Sequence, residues 1–75
     1  METPRKRAGR DILARNLRRL RRERGVTQEA LAHQVNLTQT YLSEVEAGKR
    51  NISIDNIEIL ADAFGLSLSA LLEEG

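Results

Sequence analysis

With 75 residues, of which 40% are hydrophobic, 31% charged and one a proline, the chain has the make-up of a single small helical domain, and both a multidomain enzyme and a wholly disordered chain are excluded. The absence of cysteine removes a disulfide scaffold and a thiolate zinc site, and no apolar run approaches the roughly 18 residues of a membrane span or follows the basic start as in a signal peptide. The net charge of +1 conceals a polarity: up to Gly25 ten bases face three acids, and from Val26 onward only Lys49 and Arg50 oppose eight acids, giving +7 and −6.

Met1 to Gly9 holds Pro4, Gly9 and three bases without apolar periodicity, so residues 1–9 read as a flexible basic arm and 10–75 as the folded domain. From Asp11, whose charge suits the start of a helix, Leu13, Leu17 and Leu20 recur at helical spacing among arginines until Gly25 stops the first helix. Thr27 is an N-cap candidate for a second helix with Leu31, Ala32 and Val35 inward, and Asn36 tolerates the left-handed turn that ends it. Thr38 caps a third helix with Leu42 and Val45 inward and Gly48 at its end. Two helices of about eight to ten residues joined by so short a turn make a helix-turn-helix. Lys49, Arg50 and Asn51 form a polar loop, after which Ile54, Ile57, Leu60, Ala61 and Phe64 keep a helical stripe up to Gly65. Ser67 or Ser69 caps a last short helix with Leu68, Leu71 and Leu72. No strand pattern exceeds a few positions, so the expectation is an all-α fold, a compact five-helix bundle.

Catalytic chemistry is missing from this pattern. His33, the only histidine, has no cysteine to join it and reads as a surface residue. The carboxylates Glu44, Glu46, Asp55, Glu58 and Asp62 lie on short helices with no Gly-rich phosphate loop and no base-activated nucleophile. No enzyme activity, cofactor, metal or small-molecule ligand is expected. The charge polarity suits a polyanion on one face and another partner elsewhere, although a solvated helix face with a disordered tail carries the same charges. Burying only about 60 to 65 per cent of its unfolded surface, a chain this short also gains from a second subunit.

The runs Gly25-Val26-Thr27-Gln28-Glu29-Ala30-Leu31-Ala32, Leu37-Thr38-Gln39-Thr40-Tyr41-Leu42-Ser43 and Glu46-Ala47-Gly48-Lys49-Arg50 strongly resemble the helix-turn-helix family of phage Cro and lambdoid repressors, over roughly Leu13 to Leu72. Within it, the Asn-Leu-x-x-Thr-Tyr-Leu-Ser run, Arg50-Asn51, Ile57-Glu58 and Leu66-Ser67-Leu68-Ser69 look most like the small controller proteins of restriction-modification systems. The resemblance implies a lambda-repressor-like DNA-binding fold and a cytoplasmic, sequence-specific transcriptional regulator, a homodimer on a palindromic operator. Its partners would be double-stranded DNA, a second copy and, as a candidate, RNA polymerase.

The resemblance makes Thr38 to Ala47 the recognition helix in the major groove, with base contacts from Gln39, Thr40, Tyr41, Ser43 and Glu44. A glutamine bonds adenine bidentately and a threonine methyl meets a thymine methyl; controller proteins often carry arginine where Gln39 stands, and the glutamine shifts the expected readout toward the phage-repressor type, in which Gln28 buttresses it. Tyr41 either reaches a base or phosphate or packs on the helix with its hydroxyl in water. Glu44 either accepts from cytosine or stands solvated and penalises wrong sequences. Backbone contacts fall to Thr27, Gln28, Thr38, Lys49, Arg50 and Asn51, Lys49 serving equally as a helix C-terminal cation. The family also pairs Arg21 with Glu46, and Arg21 does lie on the apolar edge of the first helix while Arg18, Arg19 and Arg22 point elsewhere. Ile59 breaks the stripe of the fourth helix and, with Leu68 and Leu72, suggests an apolar patch facing a second copy. Two alternatives remain: a DNA-binding antitoxin or repressor fragment, and a helical adaptor whose basic face docks on an acidic protein.

Overall fold

A computed structural model describes residues 8–74 of the chain, and among them every regular element is a helix. In order these are α1 (Ala8–Glu23), α2 (Gln28–Gln34), α3 (Gln39–Glu46), α4 (Ile54–Ala63) and α5 (Leu68–Leu71). Helix α1 begins at Ala8, so Ala8 and Gly9, read from sequence as part of the arm, belong to the helix; Gly9 is tolerated in a first turn that has little to pack. The remainder of the expected arm, residues 1–7, lies outside the described residues.

One local device punctuates the bundle. At the end of α2, Asn36 adopts φ 60°, its N–H donates to His33 O and the next N–H, of Leu37, donates to Ala32 O. This is a Schellman closure: the left-handed residue turns the chain so that two carbonyls left open by the helix end find donors. Two residues after Asn36, Thr38 takes an extended conformation and its hydroxyl accepts from the Tyr41 N–H, capping α3. Gly25-Val26-Thr27 and Gly65-Leu66-Ser67 repeat the arrangement, a left-handed residue, a half-buried hydrophobe and a hydroxyl cap. Ser67, rather than Ser69, is thus the cap of α5.

The junction between α3 and α4 departs from this. Gly48 closes α3 in the same way, but the next cap is Ser53, so Lys49 to Ile52 are interposed. Gly48 is buried with φ 73°, and a Cβ there would lie 2.9 Å from Asp11 Oδ1. The left-handed backbone conformation is what favours glycine here, since the Asp11 carboxylate is the end of a flexible side chain that can move aside.

The core is built from one stripe of each helix. Leu13 and Leu17 of α1, Leu31, Ala32 and Val35 of α2, Leu42 and Val45 of α3, Ile57, Leu60, Ala61 and Phe64 of α4 and Leu71 of α5 form a single buried cluster. Helix α1 packs against α3 and α5, α2 against α3, and α4 against α5. Ile54, which the stripe would place inward, is 64% exposed: as the first residue of α4 it precedes the turn on which the helix meets the core.

Candidate nucleic-acid interface

Helix α3 turns Leu42, Val45 and Glu46 into the protein, which leaves Gln39, Thr40 and Ser43 exposed on the opposite side. These three, with Glu44 of the same helix and Gln28 from the start of α2, border an open depression of about 380 Å³. Thr27 and Thr38, both exposed, spend their hydroxyl oxygens as N-caps, accepting from Ala30 N and Tyr41 N at 3.0 Å each. Their roles toward a backbone phosphate would therefore use the hydroxyl hydrogen or the neighbouring main chain.

The orientation of α3 is fixed by a buried carboxylate. Glu46, 2% exposed, accepts from Arg21 Nε at 2.7 Å and Arg21 Nη2 at 3.0 Å, and from Gln28 Nε2 at 3.0 Å. A third guanidinium donor, Arg21 Nη1, bonds Val26 O at 2.9 Å. One side chain of α1 thus holds both α3 and the α1–α2 turn. The bidentate, charge-assisted geometry stabilises both groups; the hydrogen bond to Glu46 raises the Arg21 pKa, against the opposing effect of burial. The reading of Arg18 as pointing elsewhere is corrected, since its Nη1 donates to Glu46 O at the end of α3. Among the described residues no hydrogen bond joins Gln28 to Gln39; because a carboxylate only accepts, the Gln28 amide nitrogen is committed to Glu46.

The loop after α3 folds back on the helix. Arg50 Nη1 pairs with Glu44 Oε1 at 3.1 Å, and the guanidinium carbon lies 5.1 Å from the centre of the Tyr41 ring. The Tyr41 hydroxyl accepts from Asn56 Nδ2 at 3.2 Å, and its ring packs against the core, so this tyrosine is anchored in the protein instead of ending in water. Asn51, also exposed, accepts from Arg10 Nη2 at 3.0 Å. Lys49 is exposed, and its backbone N–H helps close α3. Residues assigned separately to bases and backbone, Glu44 and Arg50, are therefore one unit. Nothing local in the sequence links positions six apart across a helix end, and Asn56 is visible only once α4 is placed.

Of the residues expected to meet a second copy, Ile59 is 41% and Leu72 37% exposed. Leu68 is half-buried against the protein's own core, so less of it is open than the sequence suggests, and Ile54 adds apolar surface that was expected inside. Asn16, missed in the sequence, is 2% exposed. Its signal was there: it falls three residues after Leu13 and four before Leu20, a polar residue inside the apolar stripe of α1.

The sequence pattern of the Helix-turn-helix family matches residues 17–71, a span that holds the turn between α2 and α3 and the whole exposed face just described. The chain belongs to that family. Over 59 residues it is 41% identical to the control protein C.MunI of Mycoplasma sp, covering 77% of this chain and 80% of that protein. The crystal structure of the hypothetical transcription factor NHTF from Neisseria superposes with a TM-score of 0.84 at 41% identity, over 97% of this chain and 84% of that one. The restriction-modification controller protein C.Esp1396I, solved as a tetramer in complex with its natural 35 base-pair operator, gives a TM-score of 0.76 at 30% identity, over 85% of this chain and 84% of that one. This helix-turn-helix protein is accordingly a DNA-binding transcription regulator similar to restriction-modification controller proteins. The family consists of regulators that bind DNA rather than of catalysts. No described helix is long and apolar enough to cross a membrane.

Proposed function

We propose that this regulator acts in the cytoplasm as a homodimer on a palindromic operator, reading bases with the exposed N-terminal edge of α3. The observation that carries the reading is the fixed pose of that helix: Glu46 is locked from inside by Arg21 and Gln28, so Gln39, Thr40 and Ser43 project from a surface that does not have to be ordered on binding. Gln39 presents its amide to adenine N6 and N7, Thr40 its methyl to a neighbouring thymine, and Ser43 the next position along the groove. Tyr41 and Glu44 contribute at the margin, because both are already engaged by Asn56 and Arg50. Backbone contacts come from Thr27, Gln28 and Thr38 on one side of the groove and from Lys49, Arg50 and Asn51 on the other. Ile59, Leu68 and Leu72 face the second copy, which sets two copies of α3 on one side of the duplex. The likeness to the DNA-bound C.Esp1396I tetramer supports both DNA binding and self-association.

Gln39→Ala tests the assignment. Affinity for the best operator should fall by about 1 to 3 kcal/mol, the worth of one bidentate base contact, while affinity for random duplex DNA is nearly unchanged. An equal loss on both DNAs would make Gln39 a backbone contact and overturn this reading of α3.

A further inference from the structure

Among the described residues Asn16 is the one buried neutral polar side chain in the otherwise apolar α1 stripe. A polar group so placed is costly unless it is hydrogen-bonded, and here it is: Nδ2 donates to Leu71 O at 2.7 Å and to Glu73 O at 2.9 Å. Both acceptors are carbonyls, so the atom facing them must be the amide nitrogen, and its two hydrogens are both used. Oδ1 lies 3.5 Å from Arg19 Nη1.

What these bonds hold is the weakest element of the fold. Helix α5 has four residues, far too few to persist by its own hydrogen bonds, and its last carbonyls have no donors within the helix. Asn16 of α1 supplies a donor to the last of them, Leu71 O, and to Glu73 O just beyond the helix. The two carbonyls it binds flank Leu72, so the backbone on both sides of that residue is fixed to α1 while its side chain stands 37% exposed. Buried Leu71 beside it gives α5 an apolar footing, but apolar contact is non-directional and does not set which way the next side chain points.

We propose that Asn16 is a positioning residue for self-association: it clamps the end of α5 so that Leu72 is presented to a second copy in a fixed direction. The proposal rests on the reading that Ile59, Leu68 and Leu72 form the self-association surface. It assigns to one side chain of α1 the link between the DNA-binding half of the protein and that surface, because the same helix carries Arg21 on the side facing α3.

The test compares the unmodified protein with Asn16→Ala, which removes the donors and most of the side chain, and Asn16→Leu, which removes them while keeping a branched side chain of the same number of heavy atoms. Three quantities are read: the dimer dissociation constant by sedimentation equilibrium, amide exchange at residues 71–73 against that within α2 and α3, and binding to random duplex DNA at low salt. Both variants should raise the dissociation constant at least tenfold and speed exchange at 71–73 by a similar factor, with exchange in α2 and α3 and random-DNA binding within twofold of the unmodified protein. Unchanged dimerisation in both variants would overturn the proposal. So would a uniform loss of protection across all helices in both, since Asn16 would then serve the fold as a whole. If the unmodified protein is itself a monomer at tens of micromolar, the reading of Ile59, Leu68 and Leu72 fails first and the proposal with it, a result separable from a dimer that ignores Asn16.

Discussion

The two halves of this protein are anchored to α1 in different ways. The helix-turn-helix half adds charge to its share of the apolar core: Arg21, together with Gln28 of α2, bonds the side chain of Glu46, and Arg18 bonds its carbonyl. The α4–α5 half is held by an apolar stripe, Ile57, Leu60, Ala61, Phe64 and Leu71, with neutral Asn16 at the end and Arg24, whose guanidinium lies 5.4 Å over the Phe64 ring and donates to Phe64 O at 3.0 Å. Directional bonds fix a helix in rotation as well as in position, which a helix that must aim side chains at base edges requires. Apolar packing fixes position without direction, and in the α4–α5 half direction is added only locally, by the Asn16 bonds on either side of Leu72.

The largest expected effect follows from removing one directional anchor. Arg21→Ala strands Glu46 in the interior, and thermal or urea unfolding should show a loss of about 3 to 5 kcal/mol, the usual cost of leaving one member of a buried pair alone. Arg21→Lys should recover only part of this, since an ammonium cannot bond Glu46 bidentately and reach Val26 O as well. An unchanged melting temperature in Arg21→Ala would erase the distinction between the halves. The raised Arg21 pKa does not make the pair a pH switch: stability from a cation with a raised pKa is complete below its unfolded value, which for arginine is far above neutral, and is lost only above it.

Next comes the apolar surface. Changing Ile59 and Leu72 together to serine should give a monomer of unchanged helicity, seen by sedimentation and circular dichroism; a dimer that survives both changes would move the self-association surface elsewhere. Smaller again is the N-cap of the reading helix. Thr38→Ala should cost about 1 kcal/mol in unfolding experiments, and a change within error would mean that the hydroxyl contributes nothing to α3.

What the sequence disclosed and what it withheld divide along sequence separation. Thr27, Thr38, Asn36 and the glycines act on backbone within five residues of themselves, and each is legible because residue type alone restricts what the local chain can do. The Arg21–Glu46 pair was named through resemblance. By contrast, the bonds from Asn16 to the end of α5, from Asn56 to Tyr41 and from Gln28 to Glu46 join elements whose packing must be known first. Ile54 shows the same limit from the other side: the periodicity placed it inward, but periodicity cannot say where along a helix the core ends.

The smallest effect concerns the Arg50–Glu44 pair. With side chains 51% and 43% exposed, it contributes about 0 to 1 kcal/mol to stability. Arg50→Ala should leave melting nearly unchanged, weaken binding to all DNA sequences alike and reduce the salt dependence by about one unit of slope. Loss confined to one base position would instead make Arg50 a base reader and blur the division between the loop and α3.

The most direct test of the account is a selection of bound sequences from random duplex DNA by the unmodified protein. A rigid α3 carried by a two-fold dimer should enrich two inverted half-sites, each with an A·T pair where Gln39 lies, centred about 10 to 10.5 base pairs apart or a multiple of that. Enrichment of a single unpaired site, or of no sequence at all, would contradict it.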